Sequence, residues 1–479
     1  MAVLPRHRYL ASLQELRPNV WKFGQLITDV TTHPATRRTV ESHARAFDAS
    51  TDPEHREGFT TVSCLSGAPI HRWNALMRTT EDVIANARLK RTMYRLTGTC
   101  TGGLCVGWTA LNAMWAVATE MDEALGSSYR ARLQDWILDA EARGLVVAGA
   151  LTNAKGDRSK RASEQEDPDQ NLRVMEHLPG GVLVRGAKAM ICGVAASHEI
   201  FVLPGTAYRE NEAAFSVAFV IPRDAAGLTI VETRRPSDGR ELAEDGFDVP
   251  ATGITQAYLL FEDVFVPWDR VFLCGEHRYT GRLIQYFTAI YRACIGACVA
   301  GQGDVMIGAG LLMARANGLS ARTFTDKLVA MAINNETTFG LGVGAIALGR
   351  SHHSGVWIPD DLMAHTNKVL VATLPYETRR LCQEIGGGMV ETGCFPSARD
   401  LHDPRLGPAL RKYLQGAGNA ETRARAARLA EWLTIGAGVP GCMHGGGSPD
   451  GARLVVRAKT PWDQYEEHAR RLAGIEPEN

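Results

Sequence analysis

Net charge of one sign is missing from this sequence: 52 Lys and Arg stand against 53 Asp and Glu in 479 residues, a formal charge of −1. Without a surplus of clustered cations there is no counterion release to drive nucleic-acid binding, and that class is excluded. Also missing is any run of about 18 apolar residues free of charge, so no membrane span is expected. Residues 1–14 carry Arg6, His7 and Arg8 with no apolar segment behind them, which speaks against a secretory leader. The ten cysteines sit mostly in apolar surroundings and lack the dense spacing of a disulfide scaffold, so free thiols in a reducing cytoplasm are expected. Familiar catalytic signatures are absent too: no G-x-x-x-x-G-K-[ST], no H-E-x-x-H and no G-x-S-x-G, which removes several common enzyme classes. Gly102-Gly103 and Gly386-Gly387-Gly388 do not follow a strand and open a helix, so a nicotinamide fingerprint is unsupported.

What is present divides into three parts, with boundaries expected at 1–143, 144–275 and 276–479. The first reads as all-helical, and Gly107 to Ala118 is an almost unbroken apolar helix that should be buried on most sides. In the second, short β-rich runs at Gly181–Gly186, Glu199–Pro204, Ala214–Pro222, Leu228–Glu232 and Tyr258–Pro267 are punctuated by Gly and Pro. An antiparallel barrel or sandwich between helical units is the simplest packing. Helical pattern returns in the third part. Ile284 to Met313 has Gly296, Gly301, Gly303, Gly308 and Gly310 along it, which allows close helix–helix approach. Further helices are expected around Asp326–Leu348, Asp361–Ile385 and Ala420–Gly436.

Candidate chemistry comes first from cysteines. Cys100 and Cys105 precede the apolar helix; Cys294 and Cys298 share a helical face, with Tyr291 one turn earlier. Two helices each presenting two thiols suit an iron–sulfur cluster, while buried cysteine is equally at home as a small core residue. The junction Leu151-Thr152-Asn153-Ala154-Lys155-Gly156-Asp157-Arg158 offers Lys155 and Arg158 to a phosphate or carboxylate, or else is a solvated turn. Gln383 and Gly386–Gly388 read either as a helix end or as glycines that admit a phosphate. His444, beside Gly445–Gly447, faces a cofactor or a surface turn. His198-Glu199 begins a strand and is either an acid–base pair or a strand end.

Several collinear segments carry a resemblance over nearly the whole chain: Leu13 to Thr32, Lys155-Gly156-Asp157-Arg158 with Asp167-Pro168-Asp169, Arg185-Gly186-Ala187-Lys188, Phe261 to Pro267, and Met443-His444-Gly445-Gly446-Gly447-Ser448-Pro449. The sequence resembles the 4-hydroxyphenylacetate 3-hydroxylase superfamily, and within it the 4-hydroxybutyryl-CoA dehydratase and vinylacetyl-CoA isomerase branch. The resemblance implies an acyl-CoA-dehydrogenase-like subunit: mainly α, with N-terminal helices, a β-barrel middle domain and a C-terminal four-helix bundle, assembled as a homotetramer. It implies FAD between β-domain and bundle. Leu151, Thr152, Asn153, Lys155, Arg158 and Cys192 would lie towards the flavin, and Gln383, Gly386, Gly387 and Gly388 near a neighbouring subunit's dinucleotide.

The dehydratase branch holds a [4Fe-4S] cluster with three Cys and one His. Cys100, Cys105 and Cys298 match the thiols, Tyr291 replaces the histidine, and Cys294 offers a substitute ligand. An assisting lysine and tyrosine correspond to Val299 and Ile295. The hydroxylase branch's phenol-binding Arg and Tyr correspond roughly to Val106 and Ala110, and its proton-handling His to Gly149. With Tyr291, His198 and Cys192 as candidate catalytic groups, the leading expectation is a reduced-FAD-dependent monooxygenase. It would act on an aromatic or other apolar small molecule and be fed by a separate flavin reductase. The alternatives are an oxygen-independent FAD/[4Fe-4S] dehydratase or isomerase on a CoA- or carrier-linked substrate, and a subunit that has lost activity.

Overall fold

A computed structural model describes residues 3–154, 156–235, 238, 251–435 and 445–475. Its first part is built on helices α1 (Arg6–Gln14), α2 (Arg37–Thr51), α3 (Arg56–Phe59), α4 (Thr80–Thr97), α5 (Gly103–Leu125) and α6 (Tyr129–Arg143). Helix α4 starts where Thr79 and Asp82 form a reciprocal capping box, and it stops where Gly98 turns left-handed at φ 66°. As its composition requires, α5 is buried continuously from Trp108 to Thr119.

This part is not all-helical. Phe23 and Gly24, at φ 51° and 74°, make the two-residue turn of a hairpin, β1 (Val20–Lys22) with β2 (Gln25–Ile27). A second hairpin joins β3 (Thr60–Val62) and β4 (Pro69–His71). Three-residue strands are too short to show a period of two, which is why the sequence pattern hides them.

Eight further strands make up the middle: β5 (Val147–Ala150), β6 (Arg173–Leu178), β7 (Gly181–Cys192), β8 (Glu199–Val202), β9 (Val217–Pro222), β10 (Leu228–Glu232), β11 (Gln256–Pro267) and β12 (Val271–Cys274). Among the described residues the expected closed barrel is not found, and the strands are not all antiparallel: β1 pairs with β10 and β5 with β8 in parallel. Two open sheets take its place, one of six strands in the order β2-β1-β10-β11-β7-β6 and one of four in the order β12-β9-β8-β5. Closure is forestalled because helices, not strands, complete the small sheet: β5 lies under α5, where Gly107 brings the helix backbone onto the Val147 carbonyl. Trp136 of α6 packs edge-on to Phe201 of β8. Accordingly β5 and β8 are buried on both faces, whereas β11 alternates, with Ala257, Leu259 and Phe261 inside and Tyr258 and Leu260 outside.

Beyond residue 276 run α7 (His277–Asn317), α8 (Arg322–Ala347), α9 (Asp361–Val371) and α10 (Leu374–Gly386). Gly296 sits against the Thr338 carbonyl and Gly303 against Asn335, so a methyl at either would hold α7 and α8 apart. The single helix expected over Asp361–Ile385 is two, broken before Pro375, which opens α10. Helix α7 is long and apolar enough to cross a bilayer by length and composition. Its most apolar window is 67% buried within the protein, as a core helix should be.

Candidate functional site

One face of α4 is a stripe of buried residues, Val83, Asn86, Ala87, Lys90, Met93, Tyr94 and Thr97, at helical spacing. After Gly98 the chain turns back so that Cys100 packs with Tyr94, Ile254 and Cys298, while Cys192, the last residue of β7, lies against them. Gly102, at φ 37°, lets the turn pass: a Cβ there would overlap Ile254 and approach Cys192. From α7, Tyr291 joins Ile295, Val299 and Val371 in an adjoining apolar group. Gly446 lies flat on the Tyr291 ring, where any larger residue would collide with it. The Gly446 carbonyl accepts two hydrogen bonds from Arg292, at 3.1 and 3.0 Å.

The thiols meet in this seam. Cys298 beside it, together with burial, pushes the Cys100 thiol well above its ordinary pKa. Burial does the same to Cys105, raises Cys294 to about 11 and raises Cys192 to about 12. All four are therefore neutral near pH 7 and unlike an activated nucleophile. Gln256 donates to Cys192 Sγ at 3.2 Å. The Lys90 ammonium has Cys105, Cys298, Cys294 and Cys100 around it and lies 5.0 Å from the centre of the Tyr291 ring. Burial also keeps the Tyr291 phenol protonated, so it is a poor metal ligand. Among the described residues no three His, Cys, Asp or Glu side chains gather as a single metal ion requires.

Thus Tyr291, Cys192, Cys100, Cys105, Cys294 and Cys298 come together, and His198 does not join them. His198 Nδ1 accepts the Val146 N–H at 2.9 Å, Nε2 pairs with Ser12 Oγ at 2.9 Å, and Tyr9 meets the ring edge-on. Burial lowers its pKa to about 3, leaving a neutral core imidazole with both nitrogens occupied rather than an acid–base group. Its neighbour Glu199 is likewise engaged, by Trp136 Nε1 at 2.7 Å and Arg270 at 3.0 Å.

The 151–153 segment is bound into the sheet. Lys188 Nζ donates to Leu151 O, Asn153 Oδ1 and Leu203 O at 3.1, 2.7 and 2.8 Å, and Ala189 N–H donates to Thr152 O. Asn153 Nδ2 donates to Tyr208, which fully employs this amide as a strut and leaves Thr152, half-buried, with its hydroxyl. Arg158 is exposed; Lys155 and His444 lie outside the described residues. Gln383 and Gly386–Gly388 end α10, which packs on α7 and α8, and Cβ atoms at Gly387 and Gly388 would meet open space. Within one chain these residues do not reach the thiols' cluster.

Do these groups fit a flavin? Among the described residues Thr99 Oγ1 is buried without a hydrogen-bond partner; Thr101 leans on Cys105 and on His43, and His43 adjoins Gly103 and Gly193 at this same seam. An unspent hydroxyl beside a second hydroxyl and an imidazole along an apolar wall fits the heteroatom edge of a flavin.

Sequence reasoning passed over Lys90, Gln256 and Arg235, whose guanidinium neighbours Cys192 and Cys100. For Lys90 a signal existed: it occupies the apolar stripe of α4, where a cation is out of place. Gln256 and Arg235 carry no such mark.

A helical layer, paired sheets and a helix bundle around a buried seam define the acyl-CoA-dehydrogenase-like architecture. A glutaryl-coenzyme A dehydrogenase superposes at a TM-score of 0.51 over 84% of this chain and 82% of that one, at 13% identity. The pattern described as 4-hydroxyphenylacetate 3-hydroxylase N terminal matches residues 6–273, and that described as 4-hydroxyphenylacetate 3-hydroxylase C terminal matches residues 280–474. The chain belongs to this family. It is 32% identical to the 4-hydroxybutyryl-CoA dehydratase/vinylacetyl-CoA-Delta-isomerase of Clostridium aminobutyricum, covering 99% of this chain and 100% of that protein. It is 26% identical to the 4-hydroxyphenylacetate 3-monooxygenase oxygenase component of Thermus thermophilus, over 89% and 87%. An oxygen-tolerant archaeal 4-hydroxybutyryl-CoA dehydratase from N. maritimus superposes at a TM-score of 0.95 with 33% identity, over 100% and 96%. In fold alone, a 4-hydroxyphenylacetate 3-monooxygenase oxygenase component complexed with FAD matches at 0.86 with 22% identity, over 98% of each chain. Those relatives are enzymes.

Proposed function

We propose that this chain is an FAD-dependent monooxygenase of the two-component type, acting on an aromatic or other apolar small molecule with reduced flavin supplied by a separate reductase. The observation that carries the reading is the wall around Tyr291. Ile295, Val299 and Val371 pack there, and the one phenol among them is held neutral. Such a wall positions an apolar substrate and excludes water; among the described residues its own side chains offer only that neutral phenol for the protons of a dehydration, with the Lys90 ammonium over the ring. When bound, reduced FAD would supply the oxygen chemistry itself; Thr152, Thr99, Thr101 and the Cys192–Gln256 pair would hold and orient it. A homotetramer, with Gln383 and Gly386–Gly388 serving a neighbouring protomer's dinucleotide, and a cytoplasmic location complete the proposal. Protein given reduced FAD, O2 and a phenolic substrate should turn over, and should stop under strict anaerobiosis. Full anaerobic activity would refute the reading.

A second reading has an observation of its own: Cys100, Cys105, Cys298 and Cys294 around one ammonium supply four sulfur donors, as a [4Fe-4S] cluster uses. The 32%-identical relative is a dehydratase/isomerase. An oxygen-independent lyase or isomerase on a CoA-linked substrate predicts iron and acid-labile sulfide near four each per chain in anaerobically purified protein. Protein free of iron would dismiss it.

A further inference from the structure

Four lysines are buried among the described residues: Lys22, Lys90, Lys188 and Lys368. Three have oxygen partners. Lys22 pairs with Asp238 at 2.7 Å, Lys188 donates to three oxygens, and Lys368 donates to the Gly445 carbonyl at 2.6 Å. Lys90 is the exception. It is 2% exposed, and among the described residues neither a carboxylate nor a carbonyl oxygen meets its Nζ. What it meets is the face of Tyr291, 5.0 Å away, with the four thiols near enough to act on its charge.

Burying an ammonium without an acceptor is among the costlier things a fold does, because water's hydrogen bonds are lost and nothing replaces them. A cation–π contact recovers only a small part of that. The position is internal to the reaction seam, between the α7 wall and the turn that carries Cys100. A buried ammonium with no oxygen partner among the described residues, set against the face of Tyr291, is explained by an anion that arrives with the ligand. The walls beside it are Tyr94, Ile254, Ile295 and Val299, so the body of that ligand is apolar.

We propose that Lys90 binds an anionic oxygen of the substrate, an apolar molecule carrying one phenolate or carboxylate, with the Tyr291 ring fixing the ammonium in place. This rests on the proposed monooxygenase reading and deepens it by naming the substrate's charge and the residue that meets it.

The test uses the FAD-loaded protein and 4-nitrophenol, whose yellow anion and colourless neutral form differ in absorbance. The parent should bind the yellow form, Lys90→Met should bind it about ten- to a hundredfold more weakly, and Lys90→Arg should retain most of the affinity. The ether 4-nitroanisole, which has no ionisable oxygen, should bind parent and Lys90→Met alike, which separates loss of the charge from damage to the fold. Butyrate supplies the carboxylate arm, and whichever probe depends more strongly on Lys90 identifies the oxyanion. Equal affinity of parent and Lys90→Met for both anions overturns the proposal. So does loss of iron from Lys90→Met with probe binding unchanged, which assigns the charge to an inorganic cluster. Protein that holds no FAD yet binds a probe through Lys90 refutes the monooxygenase reading and leaves the anion site standing. FAD-replete protein whose probe binding ignores Lys90 does the reverse.

Discussion

Glu232 ends β10 at 4% exposure, and its environment makes a measurable prediction. Thr255 donates to Oε1 at 3.1 Å, while Oε2 is buried without a partner among the described residues. Burial, only partly offset by Thr255, Lys22 and Arg235, raises the carboxyl from 4.5 to about 7. A raised carboxyl pKa means that the folded protein holds the proton more tightly than the unfolded chain. Its stabilising share is then complete below the unfolded value, declines as pH rises, and is gone above the folded value. A rise of that size corresponds to about 3 kcal/mol. Glu232→Gln keeps an acceptor for Thr255 and removes the titration. Urea unfolding of parent and variant, compared at each pH so that other groups cancel, should show nearly equal stability near pH 4.5 and a variant advantage growing to about 3 kcal/mol by about pH 8. The protonated-carboxyl infrared band of the parent should fade over the same interval. A difference that is flat with pH, or one that favours the parent as pH rises, would refute the reasoning.

Three further substitutions test the packing and the site. Gly107→Ala gains about 1 kcal/mol of helix propensity, yet its Cβ would overlap the Val147 carbonyl, so a net loss of about 1–3 kcal/mol and a lower melting temperature are expected; a higher one contradicts the α5–β5 contact. His198→Ala leaves the Val146 N–H without its acceptor and should cost about 1–3 kcal/mol of stability, with turnover per folded molecule preserved; a large fall in kcat would restore His198 to the chemistry. Cys192→Thr puts a stronger hydrogen-bonding group beside Gln256 and should tighten FAD about fivefold, measured as flavin release on warming; unchanged release would remove position 192 from the flavin's contacts.

The helices whose apolar faces repeat every three or four residues were legible before any coordinates. Trp108 to Ala118 and most of the run from Tyr286 to Gly303 bury as their composition demands, because apolar area removed from water is counted residue by residue. Strand β11 and the first half of β7, Gly181–Gly186, were legible for the same reason; the second half of β7 was not. The β1–β2 hairpin was not, since a three-residue strand becomes a strand only through its partner, here β10, some 200 residues away. Nor was the open pair of sheets, because whether edges meet depends on what covers them.

The site divides along the same line. Spacing alone put Cys294, Cys298 and Tyr291 on one face of one helix. That Cys100 and Cys105 approach them, that Cys192 arrives from the sheet, and that His198 is spent on Ser12 and Val146 follow from chain crossings that no local pattern encodes. Lys90 shows the division within a single residue. The sequence determined that it lies on the buried stripe of α4, since helical periodicity is a property of the chain itself. Only the tertiary structure decided that an aromatic face, and among the described residues no carboxylate, would meet it, because the partners of a buried charge are chosen by the elements that pack against it.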